Sequence, residues 1–153
     1  MKVLDAIDLR ILKHLQSNAK LTNKEIAAAI GMTTTPVFER IKRLEEQGYI
    51  RSYVAILDKG KLGFALVAYC NVSLKQHTRS YLENFEKEIK AIPEVVECYH
   101  IAGMYDYLLK VTVKDMAAYQ DFIVNHLANL ENIGTVQSSF VMKEISENTA
   151  LPL

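Results

Sequence analysis

The sequence has no tryptophan, two cysteines, three prolines, six glycines and no excess of either charge. Each shortage excludes something. Cys70 and Cys98 are too few for a disulfide framework, and both lie in strand-like apolar runs, where they read as reduced core thiols. So little glycine and proline excludes collagen-like and low-complexity chains. A chain that is half hydrophobic and 24% charged has the composition of an ordinary folded protein. The longest unbroken apolar run is residues 64–70, far short of the roughly 20 residues that cross a bilayer. No membrane association is expected. The opening MKVLDAIDLR carries acids where a secretory signal would be apolar, so the cytoplasm is the expected compartment. There is no Ser-His-Asp pattern, no phosphate loop and no dinucleotide turn. His14, His77, His100 and His126 are scattered. Cys98 and His100 share a strand face, but two ligands do not make a zinc site. Neither enzyme activity nor a metal or cofactor is expected.

What the chain does have is a hidden charge asymmetry and two successive periodicities. Residues 1–60 carry a net charge of +3 and residues 61–153 a net charge of −3. A polyanion would therefore meet the first part; chance is the alternative. Ile7, Ile11 and Leu15, with Leu4 and Leu12 beside them, form the stripe of an amphipathic helix. Asp5 or Asp8 suits its first turn. Thr22 and Glu25 make a capping box for a short helix ending at Gly31. Three threonines and Pro36 open a third helix, with Val37, Ile41 and Leu44 inward and Gly48 as its stop. This order is that of a helix-turn-helix. Residues 49–57 are rich in β-formers and read as a wing or exit strand.

Residues 58–63, with two glycines, three charges and one apolar side chain, read as a linker. After them the period changes from 3.6 to 2. Strands are expected at 64–74, 95–102, 106–113 and 136–145, and helices at about 79–91 and 116–130. The order βαββαβ predicts a ferredoxin-like four-stranded antiparallel sheet with both helices on one face. The fold class is α+β, with a winged helix-turn-helix over residues 1–60 and the ferredoxin-like unit over 61–153. The uncovered sheet face would carry Val67, Tyr69, Leu108, Val141 and either Tyr99 or Ile101. Such a face calls for a second copy around a twofold axis, or for the C-terminal tail folded back over it.

Two candidate sites emerge. On the third helix Thr33, Thr34, Thr35, Pro36 and Phe38 lie toward the outer side, suited to phosphates, base edges and thymine methyls. Arg40, Lys42 and Arg43, with Arg51 beyond, are candidate phosphate contacts on double-stranded DNA. Glu39, Glu45 and Glu46 equally fit a merely solvated face. The turn from Ala102 to Tyr107 is the second. Gly103 permits close backbone approach, N–H groups there could cradle a carboxylate, and Asp106 could take an ammonium. A plain hairpin turn, with Asp106 bonded to its own backbone, is the alternative.

The chain resembles the Lrp/AsnC family of transcription regulators along nearly its whole length. The resemblance rests on Leu4-Asp5-x-x-Asp8-x-x-Ile11-Leu12, on the run Thr35-Pro36-Val37-Phe38-Glu39-Arg40-Ile41-Lys42-Arg43-Leu44-Glu45, and on Gly48-Tyr49-Ile50. It continues in Gly103-x-Tyr105-Asp106-Tyr107-Leu108-Leu109 and Phe140-Val141-Met142-Lys143-Glu144. It implies a DNA-binding regulator with an amino-acid effector bound between subunits. It implies homodimers through the C-terminal sheets, often assembled into octamers as tetramers of dimers. Glu39 belongs to the reading helix on this basis. Ile101, Gly103, Met104, Tyr105 and Asp106 would line the effector pocket, approached by Ser138 and Ser139 from the last strand. Met104 stands where the family often has a charged residue, which favours an apolar amino acid. An architectural DNA-organising protein without an effector would share every fold expectation.

Overall fold

The computed structural model describes residues 4–153, which divide into two compact units. One runs to Ile56 and takes in Ser146–Leu153; the other is Leu57–Ile145. The expected boundary between 60 and 61 therefore falls between 56 and 57. The tail groups with the first unit because Gln16 grips the Leu151 backbone from both sides. Its amide donates to the Leu151 carbonyl at 3.2 Å and accepts the Leu151 N–H at 2.6 Å.

The first unit holds α1 (Ala6–Ser17), α2 (Asn23–Ile30) and α3 (Thr34–Glu46). Asp5 caps α1, accepting from Ile7 and Asp8 N–H, while Asp8 reaches back to the Asp5 N–H. Thr22 and Glu25 make the same reciprocal pair on α2. Gly31 ends α2 at φ 74°, a left-handed turn that suits glycine. The core is Ile11, Leu12, Ile26, Ala27, Ile30, Val37, Ile41 and Leu44, drawn from all three helices.

Among the described residues Asp8 is the one buried charged side chain, at 2% exposure. Its Oδ1 accepts from Arg40 at 2.7 Å and from Arg43 at 2.7 Å, and its Oδ2 also accepts from Arg43 at 2.7 Å. Arg40 also donates to Asp5 at 2.6 Å. One carboxylate on α1 thus fixes two guanidiniums on α3, which sets the angle at which α3 lies.

The expected wing strand is absent: residues 51–57 form no strand. β-formers alone do not make a strand, because its N–H and C=O groups need a partner ladder, and the described part of this unit contains no other strand. Tyr53, Val54, Ile56 and Leu57 stay exposed, with the Tyr53 hydroxyl donating to Glu45 at 2.8 Å.

The second unit runs β1 (Leu66–Leu74), α4 (Arg79–Ile89), β2 (Val95–His100), β3 (Tyr107–Val113), α5 (Met116–Asp121) and β4 (Ile133–Phe140). The strands order β2-β3-β1-β4 and every pairing is antiparallel. This is the ferredoxin-like arrangement. Ala68, Cys70, Val72 and Leu74 of β1 and Tyr107, Leu109, Val111 and Val113 of β3 face inward and pack with Phe85, Ile89, Phe122 and Leu127.

Several bounds differ from the expected ones, most of all in α5 and β4. After Asp121 the helix widens into a π turn over Phe122–His126 and tightens into 3-10 over Leu127–Asn129. The widened turn lets Phe122 and Leu127, five apart in sequence, both be buried. β4 starts at Ile133 and stops at Phe140, because Phe140 is the last residue in register with β1, opposite Ala68. Residues 142–145 are exposed.

The open face is less apolar than expected. Cross-strand register places Tyr69 opposite Lys110 and Ser139, and Leu108 opposite Tyr99 and Asn71. Glu97 accepts from Lys110 at 2.9 Å and from the Tyr99 hydroxyl at 2.7 Å. A charged stitch therefore crosses an apolar patch of Tyr69, Tyr99 and Leu108. Among the described residues no helix is long and apolar enough to cross a membrane.

Asp8→Ala leaves both guanidiniums without their shared acceptor. It should destabilise the first unit by about 2 kcal/mol, read by denaturant unfolding. The exposed Asp5→Ala should cost less. Gly134→Ala should also destabilise, by about 1–3 kcal/mol, since an added Cβ would lie 2.9 Å from the Ser73 carbonyl oxygen.

Candidate nucleic-acid and ligand sites

The outward face of α3 is built by its own burial pattern. With Val37, Ile41 and Leu44 inward, Thr33, Thr34, Thr35, Pro36, Phe38, Glu39 and Lys42 are exposed. Phe38, a large apolar side chain, is 48% exposed among threonines. The N-terminus of α3 differs from those of α1 and α2. Its cap residue Thr33 makes no side-chain bond to the backbone, and the first turn has no acid. Its amides and the positive end of its dipole are therefore open to an anion.

The basic residues divide. Arg40 and Arg43 are half-buried and committed to Asp8. Hydrogen bonding to Asp5 and Asp8 strengthens the hold of Arg40 on its proton against the opposing effect of burial. Lys42 is exposed and lies only within 3.9 Å of Glu46. Arg51 is exposed beyond the helix. The apolar spacing that located α3 carries no sign of the Asp8 pairing, since the partners stand 32 and 35 residues apart.

The second site is the turn between β2 and β3. Its neck is closed by the Ile101 N–H donating to the Asp106 carbonyl at 2.8 Å, and the Asp106 N–H donates to Val72 at 2.9 Å. Ile101, Gly103, Met104, Tyr105 and Asp106 are all in this one loop. Gly103 has φ 146°, open to glycine and rare for other residues, and Met104 is 88% exposed. The Tyr105 hydroxyl donates to Gln137 on β4.

Asp106 does not bond its own backbone. Its Oδ2 accepts the Leu74 N–H at 2.7 Å, and the His77 Nε2 lies 2.9 and 3.0 Å from its two oxygens. Burial pushes its pKa up, but the Leu74 amide and His77 together outweigh that and hold it below the usual value. It is therefore ionised at neutral pH.

Ser138 and Ser139 face opposite sides of the sheet, as alternation demands. Ser138 lies on the helix-covered face. It accepts from the Tyr119 hydroxyl at 2.5 Å and sits 3.9 Å from the Cys70 sulfur. Burial pushes the Cys70 thiol up. Ser139 is on the open face opposite Tyr69, on the same side as Gln137. Sequence reading did not single out His77 or Gln137. They stand 29 and 32 residues from the loop residues they meet, and no spacing rule links them.

Comparison with known proteins bears on the two units as a whole. Residues 4–51 match a family of winged helix-turn-helix DNA-binding domains, and residues 67–151 match the Lrp/AsnC ligand binding domain. The chain is 39% identical over its full length, and that of the relative, to the Bkd operon transcriptional regulator of Pseudomonas aeruginosa. A crystal structure of a transcriptional regulator from Neisseria meningitidis in complex with L-Met is 35% identical. It superposes with a TM-score of 0.94 over 98% of this chain and 97% of that one. An AsnC family regulator from Agrobacterium tumefaciens, 38% identical, superposes at 0.93 over 97% of each chain. The chain belongs to the Lrp/AsnC family of transcriptional regulators.

Proposed function

We propose that this regulator reads duplex DNA through the exposed N-terminal face of α3 and answers to an apolar amino acid held at the β2–β3 turn. The observation that carries the reading is the uncapped, acid-free N-terminus of α3 with Thr34, Thr35 and Phe38 turned outward. Backbone amides there suit a phosphate, hydroxyls suit phosphates or base edges, and a phenyl ring suits a thymine methyl. Lys42 and Arg51 add phosphate contacts. Arg40 and Arg43 serve first to hold α3 against α1.

At the turn, the ionised Asp106 suits an α-ammonium group, and the loop amides around Gly103 suit a carboxylate. The exposed Met104 favours an apolar side chain, and the Neisseria relative is described as a complex with L-Met. A second copy packs on the patch of Tyr69, Tyr99 and Leu108, places the effector between subunits, and pairs two α3 helices for half-sites about one helical turn apart. Dimers assemble further into octamers. Such a protein works in the cytoplasm without catalytic chemistry.

Lys42→Ala should weaken binding to all duplex sequences alike and lower the salt slope by about 1, measured by anisotropy across a salt series. Arg40→Ala should instead lower the melting temperature of the first unit. An unchanged slope in Lys42→Ala removes that residue from the interface.

L-Methionine at 100 times its dissociation constant should add about 2.7 kcal/mol of apparent stability in a thermal-shift assay. Asp106→Asn keeps an acceptor for the Leu74 N–H but loses the charge. It should abolish that response while DNA binding persists. No response to any amino acid, beside salt-sensitive DNA binding, would favour an architectural protein instead.

A further inference from the structure

We propose that His77 gates the amino-acid site. Its imidazole occupies the seat on Asp106 that the ligand ammonium takes, so binding requires its displacement and tightens as pH rises. This rests on the reading of Asp106 as the ammonium partner.

The Asp106 side chain is only 21% exposed. One oxygen is already spent on the Leu74 N–H at 2.7 Å. The His77 Nε2 lies across both oxygens at 2.9 and 3.0 Å. A carboxylate offers about four lone-pair positions, and here the Leu74 N–H and the imidazole already engage both oxygens. A second cation arriving at the same carboxylate meets a like charge whenever His77 is protonated.

The gate can open without moving its frame. The backbone on the N-terminal side of His77 is pinned to Asn132. Lys75 N–H donates to the Asn132 carbonyl at 2.9 Å, Gln76 N–H to the Asn132 Oδ1 at 2.8 Å, and the Asn132 amide to the Gln76 carbonyl at 2.7 Å. On its C-terminal side Thr78 begins α4. The His77 side chain is itself 58% exposed, so it can swing off Asp106 into water by rotation about its own bonds.

The charges around the pair are few. His100 on β2 also acts on Asp106, and imidazole is the side chain that ordinarily changes charge near neutral pH. Tyr107 on β3 is bonded to Glu86 of α4 at 3.2 Å. Lys75 shares the loop, and Arg79 at the start of α4 is paired with Glu83 at 2.7 Å. Of these only His100 is a second imidazole, so the test must vary His77 itself. An imidazolium holds the carboxylate more tightly than a neutral ring and populates the closed seat, and apparent affinity falls with the fraction of sites left open.

The experiment is calorimetric titration of L-methionine into the full-length protein at about pH 5 and about pH 8. Wild type should bind roughly two- to five-fold more weakly at the lower pH. His77→Ala should show a smaller ratio between the two pH values than wild type, and should bind at least as tightly as wild type at the higher pH. His77→Gln, a neutral residue that can still donate to Asp106, should show the same reduced ratio. If His77→Ala keeps the wild-type ratio, or melts normally yet binds more weakly at both pH values, the gate is overturned while the effector site stands. If wild type gives no heat at either pH with any amino acid, the effector reading fails, and the gate with it.

Discussion

The setting of α3 against α1 depends on one buried carboxylate. Asp8 is taken out of water on α1 and matched by two guanidiniums from α3. A buried charge without such partners would cost several kcal/mol, so the pair cannot drift apart cheaply. Hydrophobic contact alone is nondirectional and would let α3 rotate about its apolar stripe. The bonds from Arg40 and Arg43 remove that freedom, and Thr34, Thr35 and Phe38 are left facing outward. The same arginines are thereby committed to a carboxylate and only partly exposed. Position is obtained at the expense of positive charge on the helix that needs it.

A comparable trade holds at the other unit. β1 lies in the middle of the sheet, and its end is tied to the β2–β3 turn through Asp106, which accepts the Leu74 N–H and lends its own N–H to Val72. The carboxylate proposed to receive a ligand is thus also a joint between strands. That joint keeps it ionised and fixed in direction, which a receptor for an ammonium requires. Because the strand bond uses one oxygen only, the other remains for exchangeable partners, of which His77 is the resident one.

Regular periodicity was legible in the sequence. The stripes Ile11/Leu15 and Val37/Ile41/Leu44, the Thr22–Glu25 box and the even positions of β1 each report a local rule, and each element is present. What local rules could not reach were partnerships across the chain. The arginines of α3 read as candidate phosphate contacts from their place on the helix, and their pairing with Asp8 on another helix leaves no local pattern. Residues 51–57 looked like a strand because β-propensity describes how a side chain suits a sheet, and says nothing of whether a neighbouring strand exists. Ser138 and Ser139 looked like one feature until register set them on opposite faces. The whole βαββαβ order was readable because it needs only the sequence of periods. The turn at Gly103 was readable, whereas His77 arrives there from a loop with no pattern of its own.

The distribution of charge bears on how the two units cooperate. With Arg40 and Arg43 engaged, α3 and the chain just beyond it present Lys42 and Arg51 as cations to DNA, beside the helix N-terminus. Each neutralised phosphate contributes about one unit of salt slope, so a single copy gains little electrostatic affinity. On the proposed reading, binding strength then comes from joining copies, since linked sites multiply weak affinities through their effective concentration. An effector seated between subunits need not touch α3 to regulate it. It need only bind one assembly state more tightly than another. On that proposal, weak reading heads and a ligand site at the assembly surface are two parts of one design: the weaker the single contact with DNA, the more fully occupancy follows the state of assembly.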